Sequence, residues 1–294
     1  MHEWINEGPA VPARDPANPP GGEKSTCPQR EEKTPWTGVS RAGEEMPIST
    51  SGEVMIRKAT RMANRTTLKL GIDLAYETGV HIGDGNLFRL ENRMYRITYS
   101  GSLINERSYY RIVLMPIIVR LYGVQPRYYE RRHDNTVLLV VNSKWVFEFK
   151  KNVLGLPEGK KTGIRIPDIM WSNSALLLAC LQGIGDTDFC LSFKKDRRGR
   201  YKEPRLELFS NSPLLVDDIS CILQMLGISF ALEESERRRF HEYRLRIYGV
   251  KNLKIWLKKV GFRNPYKLAK LYVWHKLGHV PPRLSYQDYI ALLR

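Results

Sequence analysis

Two aspartates, Asp84 and Asp188, close two matching stretches of this 294-residue chain. The first reads Leu74-Ala-Tyr-Glu-Thr-Gly-Val-His-Ile-Gly-Asp84-Gly85, the second Leu178-Ala-Cys-Leu-Gln-Gly-Ile-Gly-Asp-Thr-Asp188. Two carboxylates held close can bind hard divalent cations. Such a site can activate water, align it for in-line attack on a phosphodiester and stabilise the leaving oxygen. Bringing two anions together raises at least one pKa unless a cation neutralises them, so the chemistry expected is metal-dependent. The six histidines and four cysteines show no zinc-type spacing, which argues against zinc chemistry. His81, between Val80 and Ile82, reads as a packing residue. Asp186 stands where the first stretch has Ile82 and reads as a helix-end residue rather than a ligand.

Something must hold residues so distant in sequence side by side. Each stretch reads as a short helix with small residues four apart: Ala75, Gly79 and Gly83 in one, Ala175, Ala179, Gly183 and Thr187 in the other. Residues four apart share a helix face, and a face of Gly and Ala lets two backbones approach closely. Ala75, Gly79, Gly83, Ala179 and Gly183 are thus the expected helix interface. Two such helices in contact would bring Asp84 and Asp188 together at their ends.

Glu77–Gly85 and Leu181–Phe189 align with the two copies of the signature of the LAGLIDADG homing endonucleases, and the chain resembles the monomeric, two-motif, archaeal-intron-like kind over roughly residues 66 to 285. The resemblance implies an α+β fold with pseudo-two-fold duplication. Each half would carry a four-stranded antiparallel sheet, the two forming a saddle over DNA, with the motif helices packed at the centre. It also implies that Asp84 and Asp188 coordinate Mg²⁺, Mn²⁺ substituting, helped by the backbone carbonyls of Gly83 and Thr187. The implied activity is a double-strand break across the minor groove of a long asymmetric target, leaving 3′ overhangs. Family members place basic residues beside the metals, and strand parity offers Arg96, Lys194 and Arg205 for that part. One departure stands out: the closing Gly85 of the first copy is Phe189 in the second. A Gly there tolerates unusual φ and crowding, so Phe189 could shift the Asp188 carbonyl and bias the enzyme towards nicking. The alternative reading is a non-cleaving nucleic-acid-binding protein such as an intron RNA maturase, which would not need both acids.

Taken in order, residues 1–60 hold 8 of the 17 prolines among Gly, Ser, Glu and Thr and read as a disordered extension. A basic lead-in follows over Arg57–Lys69. The first subdomain is placed at 61–156: motif helix 70–83, strands 87–90 and 94–100, a helix at 105–122 that Pro116 should kink, strands 127–132 and 136–141, and a helix at 143–153. A Pro, Gly and Lys-bearing linker is placed at 157–172. The second subdomain, 173–294, repeats the order: motif helix 173–187, strands 189–195 and 203–209, a helix at 212–226, strands 229–234 and 241–248, and a helix at 250–260. A basic, aromatic helix at 265–278 follows. Asp84 to Gly155 spans 71 residues and Asp188 to Gly261 spans 73, the mark of an internal duplication.

The net charge is +16, and residues 1–60 hold 7 Lys/Arg against 9 Asp/Glu, so the body carries all of the excess. A body this basic points to a polyanion partner, here double-stranded DNA, with intron RNA the alternative. Period-two alternation in the strands turns Arg96, Thr98, Ser192, Lys194, Arg205, Arg244 and Arg246 to one side. The hairpin 194–202 adds Arg197, Arg198, Arg200 and Lys202. These are the expected DNA contacts, to phosphates or to guanine edges. No apolar run is long enough to span a membrane and no signal or transit segment is recognised, so a cytoplasmic location is expected. Both half-sites lie in one chain, so the expected state is a monomer.

Overall fold

The computed structural model describes residues 70–90, 94–237 and 240–294. The readings for residues 1–60 and for Arg57–Lys69 lie outside the described residues. The chain runs α1 (Ile72–Asp84), β1 (Gly85–Arg89), β2 (Tyr95–Ser102), α2 (Leu103–Tyr109), α3 (Met115–Tyr122), β3 (Arg127–Arg131), β4 (Thr136–Asn142) and α4 (Lys144–Glu148). It continues with α5 (Ser174–Thr187), β5 (Cys190–Lys195), β6 (Tyr201–Ser210), α6 (Pro213–Met225), β7 (Phe230–Arg237), β8 (Phe240–Tyr248), α7 (Gly249–Lys259), α8 (Pro265–Leu277) and α9 (Tyr286–Leu293).

The two halves build two four-stranded antiparallel sheets of matching order, β1-β2-β4-β3 and β5-β6-β8-β7. Alternation decides which face of each sheet meets the core. Ile97, Tyr99, Val137, Leu139 and Val141 are buried in the first sheet, and Leu191, Leu206, Leu208, Leu245 and Ile247 in the second. Their neighbours in sequence face outward. One contiguous core joins both halves through α1 and α5.

Two π-helical turns were not expected from the sequence. Tyr110–Leu114 lies between α2 and α3, and Phe149–Val153 follows α4. The first lets the chain continue past Pro116, whose ring would meet the Ile112 carbonyl in an uninterrupted α-helix. The extra residue per turn also buries consecutive side chains: Tyr109 with Tyr110, and Phe149 with Lys150.

The segment marked as a linker by composition is packed rather than free. Ile164, Ile166 and Met170 are buried. Ser212 donates to the Ile164 carbonyl at 2.6 Å, and the Ile166 N–H donates to Asp218 at 2.9 Å. Helix α9, absent from the sequence reading, begins with a capping box between Ser285 and Asp288 and packs Tyr289 against Tyr266 of α8.

Candidate active site

The small-residue faces of α1 and α5 meet with no room for a side chain. A Cβ on Gly79 would lie 1.9 Å from the Cys180 carbonyl oxygen, and one on Gly183 would lie 2.1 Å from that of Tyr76. A Cβ on Gly83 would lie 2.0 Å from Thr187 Oγ1 and 3.0 Å from Asp188 Oδ1. Ala75 and Ala179 are buried alongside, whereas Ala175 lies outside the contact and is exposed. Close packing at Gly83 brings the Asp188 carboxylate beside the last turn of α1, which ends in Asp84.

Asp84 senses Asp188. Desolvation, then Glu106, then Asp188 push Asp84 well above the ordinary carboxylate range. Desolvation raises Asp188 to about 6, against the pull of Lys161 and Lys267. Tyr110, delivered by the first π-turn, donates its hydroxyl to Asp84 Oδ2 at 2.9 Å. Glu106 accepts from the Ser102 N–H at 2.9 Å and from Asn264 at 3.1 Å. A Cβ on Gly101 would run into both Glu106 and Tyr110 at 2.7 Å, so a bare backbone there makes room for both.

The same construction recurs at the carboxyl ends of the two motif helices. Lys161 Nζ donates to the carbonyls of Ile82 (2.9 Å), His81 (3.4 Å) and Gly83. Lys267 Nζ donates to the carbonyls of Gly185 (2.6 Å), Thr187 (3.5 Å) and Phe189. An ammonium at a helix carboxyl end satisfies carbonyls with no partner inside the helix and complements the dipole. Burial lowers both lysines from the ordinary value, while Asp188 and Asp84 pull Lys161 back up. Sequence reasoning missed both. Lys161 was absorbed into the linker. Lys267 did carry a signal, since a lysine in the first turn of α8 opposes the helix dipole and so must be held by something else.

The oxygen set at this place fits a hard divalent cation: two carboxylates plus main-chain carbonyls of residues 83 and 187. Each of those carbonyls also accepts from a lysine ammonium, Gly83 from Lys161 and Thr187 from Lys267. Among the described residues, no cluster of three or more His, Cys, Asp and Glu forms a metal cage, so water and substrate oxygens would complete the coordination.

Asp186 and His81 do other work. Asp186 is buried and accepts from Tyr76 (2.7 Å) and from the N–H groups of Arg263 (2.8 Å) and Asn264 (3.0 Å). It anchors the entry to α8, and so Lys267. His81 is buried edge-on against Tyr99, and burial, Lys150 and Lys161 hold it neutral. Beneath it, fully buried Glu77 accepts from Lys150 (2.7 and 2.8 Å), Tyr122 (2.6 Å) and Tyr99.

The basic strand residues sit on the outward sheet faces, but several are engaged within the protein. Lys194 stacks on Tyr248 at 4.5 Å and Arg96 donates to Asn142 at 3.1 Å. Arg205 pairs with Glu207 (2.8 Å) and Ser192 (3.1 Å), while Arg246 pairs with Glu207 (2.9 Å) and Glu233. Arg244 stacks on Phe209 at 4.4 Å. In the 194–202 hairpin, Asp196 organises the turn through the Arg198 and Arg200 N–H groups and the Arg200 side chain, leaving Arg197, Arg198 and Lys202 exposed. Thr98 and Ser192 are half-buried on the same faces. The structure therefore places Lys161 and Lys267 at the motif ends, and engages Lys194, Arg205 and Arg96 with partners on their own sheets.

No family model matches the chain, and no curated protein matches it. Solved structures do. The homing endonuclease I-DmoI in complex with DNA and Mn is 18% identical, covering 65% of this chain and 96% of its own at a TM-score of 0.47. The homing endonuclease I-WcaI bound to its DNA recognition sequence is 18% identical, covering 76% and 90% at 0.46. The N-terminal LAGLIDADG domain of DUF199/WhiA is 13% identical, covering 76% and 97% at 0.42. What the chain's own elements establish is the architecture: two helix–strand–strand–helix–strand–strand–helix halves joined through paired motif helices, which is the duplicated LAGLIDADG fold.

Proposed function

We propose that this protein is a site-specific endonuclease that cuts both strands of double-stranded DNA by metal-dependent phosphodiester hydrolysis. The observation that carries the proposal is the pairing of Asp84 and Asp188 at the ends of two helices in backbone contact. Burial disfavours both as anions in the absence of a cation, which is the electrostatics of a metal site.

In this reading Asp84, Asp188 and the carbonyls of Gly83 and Thr187 hold Mg²⁺, with Mn²⁺ able to replace it. The bound cation would acidify the attacking water and neutralise charge on the scissile phosphate. Tyr110 fixes one Asp84 oxygen. Lys161 and Lys267 are positioning residues: as ammonium groups they hold the motif-helix carbonyls in register and bring positive charge to the end of each motif helix. Each half then serves one strand, and the family resemblance supports 3′ overhangs. The outward faces of both sheets continue directly from the site, because β1 starts at Gly85 and β5 at Cys190. They supply the surface for a long duplex.

The test is cleavage of a plasmid library carrying a randomised insert, with recovery of linear molecules in Mg²⁺ and in EDTA. Linear products in Mg²⁺ only, lost in Asp84→Asn, are expected. Duplex binding without cleavage in Mg²⁺ or Mn²⁺ would replace the nuclease with a binding protein, and intron RNA would become the partner to test.

A further inference from the structure

The outward faces of the two sheets differ in chemistry. On the first sheet, cross-strand rows place Phe88 beside Arg96, and Val140 between Thr98 and Arg127. Leu138 lies between Ser100 and Tyr129. Leu138 is half-buried, Tyr129 is 45% exposed and Val140 is 9% exposed. None of the described strand positions on this face is a carboxylate, and the one that reaches its edge, Asp134 of the β3–β4 turn, is held by Arg131 at 3.0 Å. On the second sheet, the corresponding face carries Glu203, Glu207, Glu233 and Glu242 among its basic residues. Glu207, only 7% exposed, is clamped between Arg205 and Arg246, which engage both of its oxygens. One face is apolar and basic; the other alternates donors and acceptors.

Base pairs differ in the same terms. In the major groove thymine presents a methyl group, which apolar and threonine side chains contact. Guanine presents two acceptors for arginine, and cytosine an amino donor for glutamate. A carboxylate facing DNA repels phosphate, so it is tolerable only where neighbouring cations offset it or a base amino group donates a hydrogen bond to it. Resting on the endonuclease reading, we propose that the first sheet selects an A·T-rich half-site through thymine methyl contacts at Leu138 and its neighbours. The second sheet selects a half-site containing G·C pairs through the Arg205–Glu207–Arg246 array. The pseudo-symmetric fold would thus bind a target asymmetric in base composition. Specificity in the first half rests on Leu138 and Thr98, and in the second on an ion-pair array that is already organised before DNA arrives.

The test selects bound duplexes from a randomised library in Ca²⁺ with the wild-type chain. Thymine is then replaced by deoxyuridine, which lacks only the methyl, in each half of the selected sequence separately. Enriched sequences should hold one A·T-rich half, where each methyl removed weakens binding about fourfold, as expected for one buried methyl group. The same replacement in the other half should leave affinity within about twofold. Leu138→Ala should weaken the sensitivity in the first half only, and Glu207→Gln, which loosens the two arginines it holds, should relax selection for G·C pairs in the second. Halves of equal composition, or uracil tolerated equally in both, would overturn this inference while leaving the endonuclease reading standing. No enrichment of any duplex would instead overturn the endonuclease reading. The uracil comparison alters only the DNA, so it does not depend on any variant folding.

Discussion

At the residue scale, the two aspartates set a pH dependence whose sign can be worked out. An unfolded aspartate ionises near the usual carboxylate value of about 4, while native Asp188 is raised to about 6 and Asp84 is raised as well. Between those values the native state holds more protons than the unfolded one, so stability falls as pH rises through that window. In EDTA, Asp188→Asn should therefore stabilise the fold at pH 7 by about 1–2 kcal/mol, discounted for partial exposure. It should give no gain below pH 4, both read from urea unfolding. A wild type already as stable as the variant at pH 7 would remove the electrostatic case for a cation site. Lys161→Met should slow cleavage about 100-fold while leaving duplex affinity nearly intact, the scale of losing one preorganised electrostatic contact. Lys161→Arg should restore part of the rate. Single-turnover rates measured beside binding isotherms check both. Phe189 shows what the motif alone conceals. Gly85 has a φ of −81°, so it is not required for a left-handed backbone. It is required because a Cβ there would meet the His81 ring at 2.4 Å. In the second copy the position four residues back is Gly185, whose own Cβ would meet Trp256 at 2.7 Å, and Phe189 packs on Trp256 at 5.0 Å. A large residue and a glycine have exchanged places, with the turn after Asp188 kept by the Asp188 N–H bond to Ile184 at 2.9 Å. The aspartates were legible from the sequence; this exchange was not, because it is a property of packing across two elements.

At the element scale, the paired motif helices are the feature the sequence announces most clearly, through small residues four apart. Nothing but hydrogen fits at Gly79 and Gly183, and the atoms in the way are backbone that cannot rotate aside. Gly79→Ala and Gly183→Ala should each destabilise by at least the ~3 kcal/mol upper range of overpacking. Gly163→Ala, with open space around it and no positive φ, should change stability by less than about 0.5 kcal/mol. Urea midpoints for the three variants decide it; a tolerated alanine at Gly79 would mean that the helices can slide apart. The π-turns were illegible because periodicity averages over a helix and hides one inserted residue. Yet these insertions deliver Tyr110 to Asp84 and Lys150 to Glu77. The linker reading failed to foresee burial for a related reason. Composition weighs Pro, Gly and Lys, while Ile164, Ile166 and Met170 are too few and irregularly spaced to register as a core stripe.

At the scale of the whole molecule, duplication was visible in the near-equal spacings of the two halves, and net charge in the composition. Neither shows how charge divides between the sheets, because parity tells which residues face out and not which are already paired. Arg96 and Arg127 face outward among neutral side chains in cross-strand register, whereas Arg205 and Arg246 share Glu207. Counterion release counts only cations that neutralise phosphates. Arg127→Ala should therefore reduce the slope of log affinity against log salt by about 0.9 in magnitude. Arg246→Ala should lower affinity, since Glu233 loses this partner and Glu207 keeps only Arg205, while leaving the slope unchanged. Titrations of a selected duplex between about 50 and 200 mM salt separate the two responses. Equal slope changes would mean that the second sheet releases its arginines to phosphate on binding. Unequal ones would mean that its ion pairs persist at the interface and face bases rather than backbone. On the second outcome the net charge of +16 drives encounter chiefly through the first sheet, the 194–202 hairpin and the lysines at the motif ends. The second sheet then adds discrimination at little electrostatic gain.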